Sequence, residues 1–185
     1  STLSSRDSVI LSDRLNHASI MEGIILSRAE FKRYPHCDMS ALENLLKGLE
    51  DHRHKLIITD SVFSMDGDIA PLKEIVHLAD KYAADVMIDE AHATGILGEC
   101  GRGALEHLDI EDRVGIQMGT LSKAFGSYGA YVCGVKELKK FFINKARPFI
   151  YTTALPPVVA AASIKALEII QCEPERRRRL WENTE

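Results

Sequence analysis

The stretch Met118-Gly119-Thr120-Leu121-Ser122-Lys123-Ala124-Phe125-Gly126-Ser127 decides how the chain is read. An apolar strand, Val114 to Met118, runs into a turn of small and hydroxyl-bearing residues with one lysine at its centre. A lysine is ordinarily a solvated surface charge. Here Gly, Thr, Ser and Ala flank it, a poor composition for a surface helix and a good one for close approach to a ligand. The hydroxyls of Thr120 and Ser122, with the backbone N–H groups of the turn, suit an anion such as a phosphate. A lysine held there sheds part of its water and becomes a nucleophile toward an aldehyde. The expectation is a Schiff-base lysine, Lys123, beside a phosphate pocket.

Working outward, apolar strands and amphipathic helices alternate. Strands are expected at Val9–Leu11, Phe31–Tyr34, Lys55–Thr59, Val86–Ile88, Gly129–Val135 and Phe149–Thr152. Helices are expected at Ile20–Ala29, from Met39 to Leu49, from Pro71 to Ala84, at Lys136–Ala146 and from Pro156-Pro157 through Ile170, with a helical turn at Leu105–Leu108. Asp38 suits the N-cap of the Met39 helix, whose Leu42, Leu45, Leu46 and Leu49 fall on one face. Near-continuous apolar strands separated by helices specify an α/β fold with a mostly parallel sheet flanked by helices. In such sheets ligands gather at the carboxyl ends of the strands. Three polar groupings fall there: Ser64, then Asp89 with His92, then Thr120 with Lys123.

Composition narrows the classes. A net charge of −4 gives no electrostatic case for nucleic acid or an anionic membrane. The basic run Arg176 to Arg179 sits beside glutamates and reads as a solvated helix face. Cysteines at 37, 100, 133 and 172 show no C-x-x-C spacing, which argues against zinc and disulfides and for a reduced, cytoplasmic setting. No apolar run approaches the ~18 residues of a membrane span. The chain starts without Met and without signal-peptide architecture, and is expected to be a piece of a longer polypeptide.

Val86-Met87-Ile88-Asp89-Glu90-Ala91-His92 admits two readings. Ile-Asp-Glu-Ala-His after an apolar strand is also the metal-holding box of helicase-type ATPases. That reading needs a G-x-x-x-x-G-K-[ST] loop, and none occurs here. The other reading takes Asp89 as partner of a pyridine nitrogen, keeping it protonated so that the ring serves as an electron sink. His92, three residues on, would hydrogen-bond a phenolic oxygen. With Lys123 one βαβ unit later, the set is what pyridoxal 5′-phosphate (PLP) requires. His17, in Asn16-His17-Ala18-Ser19, either caps the following helix or stacks on an aromatic cofactor. Thr152-Thr153 serves either helix initiation or anion contact. His36, His52, His54, His77 and His107 receive no role.

Asn16-His17-Ala18-Ser19, Val62-Phe63-Ser64-Met65-Asp66-Gly67-Asp68, Asp89-Glu90-Ala91-His92-Ala93-Thr94-Gly95, Gly101-Arg102-Gly103 and Gly119-Thr120-Leu121-Ser122-Lys123-Ala124 together resemble the α-oxoamine synthases. These are fold-type-I PLP enzymes that condense an amino acid with an acyl thioester and release CO2. The resemblance covers essentially the whole chain, with motifs in the family's order and spacing. It implies that Lys123 carries the cofactor and later takes the substrate Cα proton. Asp89 would pair with the pyridine nitrogen, and His17 would stack on the ring. Ser64 and His92 would hydrogen-bond the phenolic oxygen, and Thr120 the phosphate. Thr153, with Thr152, would reach the phosphate of the neighbouring subunit, which implies a homodimer. Gly129-Ala130 stands where relatives often carry Gly-Gly. The family's N-terminal segment and C-terminal small domain find no counterpart, so residues 1–185 are expected to be the PLP-binding large domain alone.

Overall fold

The computed structural model describes residues 2–49 and 54–184. His52 lies outside them. Five strands, β1 (Ser8–Asp13), β2 (Glu30–Tyr34), β3 (His54–Asp60), β4 (Asp85–Asp89) and β5 (Ile116–Thr120), run parallel, and β6 (Ala130–Gly134) returns antiparallel beside β5. The sheet order is β2-β1-β3-β4-β5-β6. Helices α1 (Ala18–Ser27), α2 (Met39–Lys47) and α3 (Leu72–Tyr82) provide crossovers among the first four strands. The short α4 (Ala104–His107) precedes β5, and α5 (Lys136–Lys145), α6 (Arg147–Ile150), α7 (Pro157–Cys172) and α8 (Glu175–Glu182) follow β6.

The period-two geometry of a strand divides the apolar residues between two layers. Val9, Leu11 and Ile57 point into one cluster with Leu42, Leu46, Leu72, Ile75 and Val76 of α2 and α3. Ile10, Leu56 and Ile58 point the other way, onto Ile24 of α1 and Ile116. Asp38 caps α2 as expected, its carboxylate accepting the Ala41 N–H at 2.9 Å.

Three local expectations change. Phe149–Thr152 is no strand: Arg147–Ile150 forms a helical turn with Pro148 at its start, closed by Phe149 and Ile150 N–H groups on the Ala146 carbonyl. Proline's fixed φ suits a first helical turn, and its missing N–H disfavours sheet pairing. The strand before the lysine turn is set two residues later than its apolar run, because Glu111–Arg113 closes a 3-10 turn ahead of it. Thr120 thereby becomes the last residue of β5. The arginine run is not uniformly solvated either. Arg177 is buried and its guanidinium donates to the Ile170 and Glu99 carbonyls, both at 2.6 Å, tying α8 to the loop after β4.

Candidate functional site

The order β3-β4-β5 brings three strand ends side by side. Asp60 stands opposite Asp89 in register, and Asp89 opposite Met118, two residues before Thr120. One cleft at that edge is lined by His17, Ser64, Asp89, His92, Thr120 and Lys123, the residues singled out in the sequence, and also by Asp60. Every expected cofactor contact except Thr152 and Thr153 is therefore gathered in one place. Those two threonines are exposed and outside the cleft. They do not initiate α7 either, whose cap residue is Pro156 with no side-chain capping bond.

Asp89 is buried at the strand end, with Oδ1 accepting the Ala91 N–H at 2.8 Å. Burial raises its pKa above the usual carboxylate range, against the pull of the Ala91 N–H and the nearby Lys123, His17 and His92. Burial likewise lowers His92, with the Lys123 charge acting in the same direction and Asp89 opposing. Thr120 Oγ1 is buried without a hydrogen-bond partner. A buried hydroxyl of this kind calls for an acceptor or donor from a ligand.

The lysine turn is held by backbone bonds: Leu121 N–H to Gly129 O, Ser127 N–H to Leu121 O and Gly126 N–H to Lys123 O, at 2.8, 2.8 and 2.9 Å. Lys123 itself is exposed at the mouth of the cleft, so it is less desolvated here than its sequence setting suggests. Behind the turn, a side chain at Gly119 would collide with the Tyr131 hydroxyl, and Gly95 (φ +84°) leaves room for the Ala124 methyl. The Gly95–Ala124 approach seats the lysine turn on the β4–α4 loop, and the Gly119–Tyr131 approach packs β5 against β6.

The capping reading of His17 is observed, and its place on the cleft leaves the ring available to a ligand. Its ring caps α1, with Nδ1 at 2.8 Å from Ser19 Oγ and accepting the Ser19 N–H, while the residue also lines the cleft. Ser64 lies exposed in the β3–α3 loop, on the same cleft.

Sequence reasoning missed two buried carboxylates. Asp60 Oδ2 accepts the His17 N–H at 2.8 Å and thereby orients the His17 turn. Burial, with the Asp89 charge beside it, raises its pKa to about 6, against the His17 N–H. A polar residue closing a β-branched strand was the available signal, and it does not distinguish a cap from a site. Glu90 is the second. Its carboxylate accepts the N–H groups of Ala104 and Leu105, both at 2.9 Å, and faces the Ser61 hydroxyl at 3.0 Å. The Ser61 N–H donates to the Asp89 carbonyl at 2.9 Å, so this cluster fixes the backbone that carries Asp89.

The Asp60 shift has a stability consequence. Folding favours the protonated form, so its stabilisation is full below about pH 4 and lost as pH rises through about 6. Asp60→Asn keeps an oxygen for the His17 N–H and removes the buried charge. It is expected to raise stability of the cofactor-free protein by about 1–2 kcal/mol at pH 7.5 and by almost nothing at pH 4. Urea denaturation at both pH values measures this, and an equal change at both would remove Asp60 titration as the cause.

A twisted, mostly parallel sheet with an acid, a lysine and an unpartnered hydroxyl on adjacent strand ends defines a cofactor-dependent α/β enzyme class. The chain belongs to the aminotransferase class I and II family, whose model matches residues 1–185. Among curated proteins it is 51% identical over 184 residues to 8-amino-7-oxononanoate synthase 1 of Bacillus subtilis (strain 168), covering 100% of this chain and 47% of that protein. It is 53% identical over 176 residues to 8-amino-7-oxononanoate synthase of Thermoanaerobacter pseudethanolicus, covering 95% and 45%. Among solved structures, serine palmitoyltransferase from S. paucimobilis with a bound PLP–myriocin aldimine superposes with a TM-score of 0.95 at 36% identity, over 99% of this chain and 46% of that one. The 8-amino-7-oxononanoate synthase of Francisella tularensis does so with a TM-score of 0.86 at 36% identity, over 99% and 52%. The chain thus spans about half the length of these relatives. The likeness over nearly the whole chain at this identity places it with the α-oxoamine synthases and gives it their fold-type-I large-domain architecture.

Proposed function

We propose that the polypeptide carrying this chain binds PLP through Lys123 and condenses L-alanine with a pimeloyl thioester, on CoA or a carrier protein, to give 8-amino-7-oxononanoate, CO2 and the free thiol. This is an acyltransferase step of biotin biosynthesis. The observation that carries the reading is the convergence of Lys123, Asp89 and the unpartnered Thr120 Oγ1 on one cleft. Those groups fit PLP: an amine for its aldehyde, a carboxylate for its ring nitrogen and a hydroxyl for its phosphate. When bound, PLP supplies the aldehyde for amine exchange and a cationic ring that takes up the electron pair left at the substrate Cα.

The chain's residues do the rest. Lys123 anchors the cofactor and, freed by the incoming amino acid, accepts the Cα proton. The Asp89 carboxylate pairs with the protonated ring nitrogen in a charge-assisted hydrogen bond. Ser64 and His92 hydrogen-bond the phenolic oxygen. His17, already fixed by Ser19 and Asp60, gives its ring face to the cofactor. Residues 1–185 serve as the cofactor-binding large domain.

Identity of 51–53% to curated 8-amino-7-oxononanoate synthases supports alanine and a pimeloyl donor. The high TM-score to serine palmitoyltransferase favours a second reading, the same chemistry on another amino acid and acyl chain, such as serine or glycine. A scaffold role without catalysis is disfavoured by the presence of Lys123 in the cleft. A homodimer is supported by α7, which buries none of its sixteen residues within this chain and exposes Val158, Ile164 and Leu167. Thr153, with Thr152, would then serve the partner's phosphate. Cytoplasmic residence is supported by four free cysteines. No helix among the described residues is long and apolar enough to cross a membrane.

The test is borohydride reduction of the full-length protein loaded with PLP, followed by peptide mass mapping. The expected result is a phosphopyridoxyl group on Lys123, with L-alanine, ahead of glycine and serine, perturbing the bound cofactor's absorbance. Label absent from Lys123 overturns the cofactor reading. Preference for serine or glycine overturns the substrate alone.

A further inference from the structure

His36 had no role in the sequence, yet the fold places its ring between two carboxylates, one ending β1 and one in the β3–α3 loop. Nδ1 lies 3.1 Å from Asp13 Oδ1 and Nε2 2.8 Å from Asp68 Oδ2. Phe63 meets the ring edge-on at a centroid distance of 4.4 Å. Each carboxylate belongs to an element that shapes the cleft. Asp13 ends β1, and its oxygens also accept the Leu15 and Cys37 N–H groups at 2.8 and 2.9 Å, setting the turn that leads to His17. Asp68 closes the loop around Ser64: its carbonyl accepts the Phe63 N–H at 3.1 Å, and the Gly67 N–H donates to the Phe63 carbonyl at 2.8 Å.

We infer that His36 is a positioning residue: its ring ties the Ser64 loop to the His17 turn and so sets where Ser64 stands in the cleft. The inference rests on the PLP reading only for what Ser64 contacts; the tie itself does not. Burial works against charge on His36, but its hydrogen bonds to Asp13 and Asp68, and their charges, raise its pKa above the usual imidazole value. The other titratable groups packed there are Cys37 and Tyr34. Burial and the neighbouring Asp13 push the Cys37 thiol up to about 12 and the Tyr34 phenol higher still, so His36 is the group among them that changes charge near neutrality. The tie is therefore strongest below about pH 6.5 and fades as pH rises through the elevated imidazole value. Asp13, His36 and Cys37 also bring metal-type donor atoms within 4.8 Å of one another. Both Asp13 oxygens already hold backbone N–H groups, and the two carboxylates grip opposite edges of one ring. These hydrogen bonds already engage the Asp13 oxygens and both His36 ring nitrogens.

The experiment is hydrogen exchange of the full-length protein without PLP, corrected for intrinsic rates, at pH 6 and pH 9. In His36→Gln, protection of the Phe63 and Gly67 amides is expected to fall about tenfold or more at pH 6, the scale of losing a charge-assisted bond. Amides of β4 and α3 should keep theirs. The parent protein should lose the same protection between pH 6 and pH 9, and the variant should show no such slope. Unchanged loop protection, loss spread equally over β4 and α3, or a persisting slope in the variant each overturns the inference. Should His36→Gln fail to fold, Asp68→Asn, which leaves the Asp13 contact in place, decides by the same readouts. In the PLP-loaded proteins the pH midpoint of the cofactor's absorbance should shift in the variant. Failure of the parent to take up PLP would overturn the cofactor reading and leave the exchange result standing.

Discussion

Lys123→Ala is expected to lower turnover of the PLP-loaded protein by about 10^4-fold or more, the scale seen when a group acting in several steps of one reaction is lost. On the proposed mechanism two tasks disappear together: the amine that holds the cofactor and the base that takes the Cα proton. The fold should scarcely notice. Lys123 is exposed, and the turn around it is closed by main-chain bonds of Leu121, Gly126 and Ser127 that do not involve its amine. Stability is expected to stay within about 0.5 kcal/mol of the parent, as for ordinary surface substitutions. Steady-state turnover and urea denaturation on the same preparations separate the two effects. Turnover near the parent's level would remove Lys123 from the chemistry, whatever the melting behaviour.

Asp89→Asn is expected to cut turnover by about 10^2- to 10^3-fold, the usual loss when one electrostatic partner of the developing charge is removed. If Asp89 pairs with the ring nitrogen as proposed, an amide in its place would not hold that nitrogen protonated, so the electron sink should weaken while PLP still binds. The cofactor-free protein should respond in the opposite direction. Burial raises the Asp89 pKa, so folding is penalised once the group ionises; its contribution is full at low pH and lost as pH rises through the raised value. Asn keeps an oxygen for the Ala91 N–H and removes that penalty. It should also bring Asp60 down from about 6, because the Asp89 charge is one of the causes holding it there. A protein more stable at pH 7.5 and far less active is the pattern of a residue kept for function at the expense of stability. Loss of stability together with activity would recast Asp89 as a structural strand-end residue. The kinetics, urea denaturation at pH 4 and 7.5, and an NMR titration of Asp60 decide between them.

The amphipathic spacing of α2 and α3 and the apolar strands were legible because they answer to local rules: a period near 3.6 for helices and two for strands. Phe149–Thr152 failed where a short apolar run fits either state, and Pro148 settled it as a helical turn. Thr120 was read in a turn and lies on a strand, since pairing with β6 carries β5 past Met118, where its pairing with β4 ends. Arg177 looked like its neighbours in the run, and only the packing of α8 against the loop after β4 buried it.

By itself the sequence determined an alternating α/β chain whose strand ends carry Asp89, Thr120 and Lys123, enough to argue a cofactor and a family. Only the tertiary structure decided that β3, β4 and β5 are neighbours, so that Asp60 stands beside Asp89 and shares its electrostatics. The same holds for His36, which joins residues 23 positions before it and 32 after it in the chain. Periodicity is a property of adjacent residues and survives in the sequence. Which loops meet is fixed by the burial of both sheet faces across the whole chain, and no local pattern records it.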